Sequence, residues 1–242
     1  MKKHGLAILL AVLALGFWLK HLPAPAPVQV FAEDQPPTEA ELAKRANVPE
    51  GKWIWIDIHQ KTLILYQGTK PLKRYTVATG AGATPSPIGT FYITHRFSGD
   101  LGGFGTRFLG LNVPWGQYGI HGTNKPGSIG SNASHGCIRM FVKDSEELYS
   151  LVPNWAKVVI TGGPYGLLDN SLRTLEMGDR CSHVVAVQQR LAALGYYYGG
   201  ADGVFGQGML EAVRRARTAL NLPQGDKVDY GFYKAIGLCL FE

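Results

Sequence analysis

Two residue types that together perform acyl transfer stand sixteen positions apart in a glycine-rich stretch. His121 lies in Tyr118-Gly119-Ile120-His121-Gly122-Thr123, and Cys137 in Ser134-His135-Gly136-Cys137-Ile138-Arg139. A thiolate attacks a carbonyl, and a free cysteine with a pKa of about 8.5 needs a base to reach that state near neutrality. An imidazole, with a pKa of about 6.5, takes the proton and returns it to a leaving amine. Two histidines compete for the role. His135 is two residues from Cys137, and such positions share a face in extended chain, but Gly136 between them frees the local geometry. His121, following a strand, returns opposite Cys137 across the glycine-rich loop. Spacing alone does not choose. Gly136 imposes little steric limit, so the backbone N–H groups of Gly136 and Cys137 are expected to face a developing oxyanion. His121, His135 and Cys137 also form a three-ligand metal set, but no fourth ligand or Cys-x-x-Cys pair accompanies them. No metal or other cofactor is implied.

The elements that must position these residues are mostly strands. Alternating β-branched and aromatic runs at 53–58 and 62–66 flank His59-Gln60-Lys61 and predict a hairpin. Further short strands are expected at 72–79, 89–94, 108–113 and 157–161, with a helix over 143–151. Eleven of the 38 residues from 99 to 136 are glycine, which suits loops that let backbone approach a ligand. From Gly178 the period becomes helical. Val184, Val187, Leu191 and Leu194 mark one helix face ending at Gly195, and two more short helices follow around Leu210 and Tyr233.

The motifs quoted above, His121-Gly122 followed by Ser134 through Arg139, resemble the signature of the L,D-transpeptidase (YkuD-type) catalytic domain. Thr84-Pro85-Ser86-Pro87-Ile88-Gly89-Thr90-Phe91 also fits a segment of that family, with a two-residue difference. The resemblance implies Cys137 as nucleophile, His121 as base, and an oxyanion pocket of His135, Gly136 and Cys137 backbone. Gly122 is grouped with these positioning residues, Arg139 is implied to position a substrate carboxylate or order the loop, and Ser134 to shape the loop. The implied reaction is attack on a peptidoglycan stem peptide, release of D-Ala, and resolution of the thioester by a neighbouring amine as a 3→3 crosslink. Water in place of the amine makes the same site an L,D-carboxypeptidase, and a non-catalytic wall-binding protein is the remaining alternative. The tail, from Gly178-Asp179 through Asp202-Gly203-Val204-Phe205-Gly206 to Ala212-Val213, resembles the three-helix peptidoglycan-binding domain (type 1), which implies glycan strands as a partner. It departs from that pattern at Met209, where the family has Thr, and at Ala216-Arg217, where it has Phe-Gln.

The expected architecture is therefore a mostly β catalytic domain (a YkuD-like β-sandwich with small helices) over 51–162. A linker over 163–177 and a small all-α three-helix domain over 178–240 follow. Ahead of them, residues 5–19 form an uncharged apolar run behind Lys2 and Lys3, so 1–22 reads as a signal peptide or a single membrane anchor. Residues 23–50 read as a proline-rich spacer and a short helix opened by the capping-box pattern of Thr38 to Glu41. The localisation implied is extracytoplasmic.

Composition excludes several alternatives. At 45% apolar and 17% charged, the 242 residues are too apolar for a disordered chain, and 31 glycines without a period are not collagen. Three cysteines cannot make a disulfide-dense scaffold. The net charge of +6 invites a nucleic-acid reading, but Lys2, Lys3 and Lys20 precede the first acid, Glu33, and account for half of it. The remaining surplus is weak evidence for DNA or RNA, and no nucleic-acid partner is expected. Cys181 and Cys239 flank the helical segment, as a bridge or as two buried thiols. Trp53, Trp55, Trp115 and Trp155 read as core, and Tyr196-Tyr197-Tyr198 as packing residues or a sugar platform. The sequence does not set an oligomeric state.

Overall fold

The computed structural model describes residues 51–168 and 172–238. The expected leader, the spacer with its short helix, and Cys239 lie outside them. In chain order the strands are β1 (Lys52–Asp57), β2 (Thr62–Gln67), β3 (Lys70–Thr76), β4 (Thr79–Gly80) and β5 (Gly89–Ser98). They continue with β6 (Arg107–Leu111), β7 (Tyr118–Gly122), β8 (Asn132–Ser134), β9 (Ile138–Met140) and β10 (Lys157–Thr161). Helix α1 (Val142–Leu151) falls between β9 and β10, and α2 (Ser182–Ala193), α3 (Gln207–Ala219) and α4 (Tyr230–Ala235) come after them. The β1–β2 hairpin turns where the sequence places it, because the Asp57 carboxylate accepts the N–H groups of His59 (2.8 Å) and Gln60 (2.9 Å).

Eight strands form one sheet in the order β3-β2-β1-β10-β5-β6-β7-β9, and β4 pairs with β8 apart from it. The expected sandwich has its two halves joined through β5. The first residues of β5 pair with β10 and, past a register shift between Ile93 and His95, its remainder pairs with β6. Such a shift bends a strand. Ile54, Leu65 and Val158 from one half of the sheet then share a buried cluster with Leu109, Ile120 and Met140 from the other. That cluster lies directly beneath β7 and β9, the strands that carry the histidine and follow the cysteine.

The C-terminal helices bury the faces read from the sequence: Val184, Val187 and Leu191 on α2, Leu210 and Val213 on α3, Phe232 and Tyr233 on α4. The departures from the family pattern find structural uses. Met209 and Ala216 lie in the core, and the buried Arg217 donates to the carbonyls of Pro223 (2.9 Å) and Lys227 (2.7 Å) and to Asp229 (2.7 Å). The turn between α3 and α4 is thereby held.

The expected linker needs correction. Leu168 and Leu175 are buried in the helical core, Leu175 exchanges two 2.9 Å backbone hydrogen bonds with Val228, and the Tyr233 hydroxyl donates to the Arg173 carbonyl at 2.9 Å. Apolar side chains that bury with the helices make 172–177 part of the helical domain rather than a spacer. That domain also shares a core with the strands. Val185 joins the strand-domain cluster, and the Ile88 N–H donates to Ser182 Oγ at 2.7 Å in a buried position. Gly203 lies against Trp115, where a Cβ would come within 2.4 Å of the indole. Trp53, Trp55 and Trp115 are buried as expected, whereas Trp155 is exposed.

Candidate active site

Strand register brings the two reactive residues together. β7 and β9 pair in parallel, with Ile120 opposite Ile138 and His121 opposite Arg139. One residue before these pairs stand Gly119 and Cys137, and the Gly119 backbone N–H acts to lower the thiol pKa. His121 and Arg139, opposite one another in this register, emerge on the same side, and Cys137 stands at the bend that leads into β9, two residues before Arg139. His135 is exposed and two residues outside β9. Of the two histidines, His121 sits on a strand paired with the one that follows Cys137, and His135 on the exposed bend before it.

His121 is 3% exposed. Its Nδ1 bonds the Gly122 carbonyl, and a carbonyl only accepts, so Nδ1 carries a proton. The ring is fixed by aromatics: Phe108 stacks on it at 5.7 Å with 13° between planes, and Phe104 meets it edge-on at 4.8 Å. Burial pushes the imidazole pKa below its ordinary value, and the Arg139 charge acts the same way against the Gly122 and Phe104 carbonyls. Burial pushes the Cys137 thiol up, opposed by the Gly119 N–H and Arg139. Both shifts favour neutral forms.

The turn that presents Cys137 is tied by Ser134, which is buried. Its Oγ accepts the Gly136 N–H at 3.0 Å and donates to the Cys137 carbonyl at 2.6 Å. This corrects the expectation for Gly136, whose N–H is committed to the serine and does not face an incoming oxyanion. Gly136 has φ 113°, and a Cβ there would lie 2.5 Å from the Tyr118 ring, so both conformation and space require glycine. Arg139 Nη1 donates to the Ala133 carbonyl at 2.9 Å, the loop-ordering one of its two implied roles. Thr84 reaches the same turn, its hydroxyl donating to the Ser134 carbonyl at 3.3 Å. Gly122 lets α1 close on β7, because a Cβ would meet Ser145 Oγ at 2.9 Å.

Sequence reasoning gave no role to Gly119, Tyr118, Phe104 or Phe108. Gly119 and Tyr118 stood inside the quoted motif, but only strand pairing reveals that the first acts on the thiol and the second packs on the turn. An apolar groove of about 620 Å³ runs along Phe97, Leu101, Phe104, Phe108 and Tyr118, so the aromatic residues that hold His121 also wall a place for substrate.

The chain has recognisable relatives. Residues 51–160 match the family model described as L,D-transpeptidase catalytic domain, and residues 182–235 match one described as "Putative peptidoglycan binding domain". The chain is 46% identical over 107 residues to "Putative L,D-transpeptidase YkuD" of Bacillus subtilis, a match covering 44% of this chain and 64% of that protein. It is 34% identical over 129 residues to "Putative L,D-transpeptidase YqjB" of the same organism, covering 47% of this chain and 73% of the relative. Among solved structures, the catalytic domain of an E. faecium L,D-transpeptidase aligns with 46% of this chain and 98% of its own, at 22% identity and a TM-score of 0.41.

Proposed function

The chain belongs to the L,D-transpeptidase family, and from that premise we propose that Cys137 is its acylating nucleophile, acting on peptidoglycan stem peptides outside the cytoplasm. The observation that carries this reading is the parallel pairing of β7, which holds the buried His121 with Nδ1 pinned to Gly122, with β9, which begins one residue after Cys137. His121 Nε2 takes the thiol proton as sulfur bonds to the carbonyl carbon at the L-centre of the third, diamino acid residue. The tetrahedral intermediate collapses with cleavage of the amide to the terminal D-Ala, and the imidazolium gives its proton to the leaving amine. With the Gly136 N–H tied to Ser134, the backbone N–H groups of Cys137 and His135 are the donors assigned to the oxyanion. An amine of a second stem then attacks the thioester and leaves a 3→3 crosslink in cell-wall biogenesis, while the helical domain supports contact with glycan strands. No step calls for a cofactor.

Incubation with a stem tetrapeptide tests the reading. Intact mass is expected to rise by the acyl tripeptide with release of D-Ala, and Cys137→Ala to show neither. Muropeptide analysis with added acceptor then separates outcomes: crosslinked dimers support transfer, tripeptide alone assigns an L,D-carboxypeptidase, and sedimentation with sacculi without any adduct leaves a wall-binding protein.

A further inference from the structure

A second pocket opens on the far side of Tyr118 from the aromatic groove, and its walls come from both domains. It has a volume of about 210 Å³ and is lined by Thr84, Tyr118 and His135 from the strand domain and by Arg173, Asp179 and Arg180 from the segment that leads into α2. Its strand-domain wall borders the reactive turn. His135 is two residues from Cys137, the Tyr118 ring packs on Gly136, and the phenol is close enough to feel both the Cys137 and the Cys181 thiols.

The opposite wall is cationic and held in place. The Arg173 backbone is fixed by the Tyr233 hydroxyl at 2.9 Å, Leu175 by its pairing with Val228, and Arg180 by a bridge to Val204. Among the described residues, neither Arg173 nor Arg180 has a carboxylate partner in an ion pair. The Asp179 carboxylate stands in the same wall, accepts the Glu176 N–H through Oδ2 at 2.8 Å, and leaves the wall one positive charge in excess. Two arginines on fixed backbone, in a pocket that shares His135 and Tyr118 with the reactive turn, make a carboxylate-recognising wall, since planar guanidinium groups match carboxylates in geometry and charge.

We infer that Arg173 and Arg180, which lie outside the catalytic domain, complete the substrate site by binding a carboxylate of the stem peptide next to Cys137. The inference rests on the acyl-transfer reading above and extends it. The helical domain then acts in catalysis by positioning, beyond any attachment to the wall. Stem peptides carry a terminal carboxylate on D-Ala and further carboxylates along the stem, and both sources share this chemistry.

The test uses the full chain with Cys137→Ala, so that binding is read without turnover. Three tetrapeptide probes are titrated calorimetrically: all carboxylates free, only the C-terminus amidated, and every carboxylate amidated. Arg173→Gln with Arg180→Gln is expected to weaken the free-acid peptide about tenfold or more and to leave the fully amidated one unchanged. Retained weakening on the C-terminal amide assigns a stem carboxylate, and its disappearance assigns the D-Ala terminus. Arg173→Lys with Arg180→Lys, which keeps the charge, is expected to recover part of the affinity, and unchanged thermal unfolding excludes loss of fold. Equal affinity of the parent and Gln variants for the free-acid peptide overturns the inference. Failure of the acyl-transfer reading shows separately, as absence of a Cys137 adduct in the chain that retains the thiol.

Discussion

A cysteine and a histidine both shifted toward their neutral forms make a distinct prediction from a preformed thiolate–imidazolium pair. Because burial lowers the His121 pKa, its basic form persists to lower pH, so the acid limb of the acylation profile is expected below the ordinary imidazole value of about 6.5. Because burial raises the Cys137 pKa, alkylation by iodoacetamide is expected to rise with pH to a midpoint above the free-thiol value of about 8.5. A plateau of fast alkylation already reached at pH 6 would show an ion pair and sink this description. Ser134 supplies a second residue-scale prediction. Ser134→Ala removes the acceptor of the buried Gly136 N–H and the donor to the Cys137 carbonyl, so a loss of about 1–3 kcal/mol is expected in denaturant unfolding. Acylation is expected to fall further than stability explains, since the same hydroxyl sets the turn presenting the thiol. Thiol alkylation at parental rate in the folded variant would count against that second part.

The site is assembled by two short strands, and the sequence revealed their residues better than their pairing. Cys137, His121 and the tight turn were legible because their types and motif report chemistry. Spacing left His121 and His135 open and the resemblance pointed to His121; the parallel pairing of β7 and β9 is a contact across a loop that no local pattern encodes. The same blindness hid Gly119, whose lack of a side chain looks like loop composition until Phe108 is seen against it. A Cβ on Gly119 would lie 2.3 Å from the Phe108 ring and 2.9 Å from the Leu109 carbonyl. Gly119→Ala must therefore push Phe108 away from β7, at a cost of about 1–3 kcal/mol by overpacking, and with it the ring stacked on His121. The expected result is a lower denaturation midpoint together with slowed acylation. Unchanged acylation in a folded Gly119→Ala protein would show that the stack does not orient the base. The hairpin, α1 and the C-terminal helices were legible because each has its own periodicity and turn chemistry. The union of two half-sheets through β5 was not, because it depends on one register shift inside a strand.

At the scale of the whole molecule, the difference between a tethered binding module and a fused one is thermodynamic. The resemblance to a wall-binding domain leads one to expect independent folding behind a linker, but burial of Leu168 and Leu175 with the helices removes the spacer. Val185 packs in the strand-domain core, and Ser182 accepts the buried Ile88 N–H across the seam. Neither domain can unfold without exposing part of the other's core, so calorimetry of the chain is expected to show one cooperative transition for both. Two substitutions at the seam probe it from different sides. Ser182→Ala leaves the Ile88 N–H buried and unsatisfied, worth about 1–3 kcal/mol. Gly203→Ala places a Cβ 2.4 Å from the Trp115 indole at a backbone φ of 74°, with a cost of similar order, about 1–3 kcal/mol. In a protein of this size each is expected to lower the whole transition by about 2–4 °C per kcal/mol. Resolution of the trace into two transitions, with only the helical one moving, would restore the tethered picture. A single shifted transition instead makes the seam part of the catalytic architecture, which is what a substrate wall drawn from both domains requires.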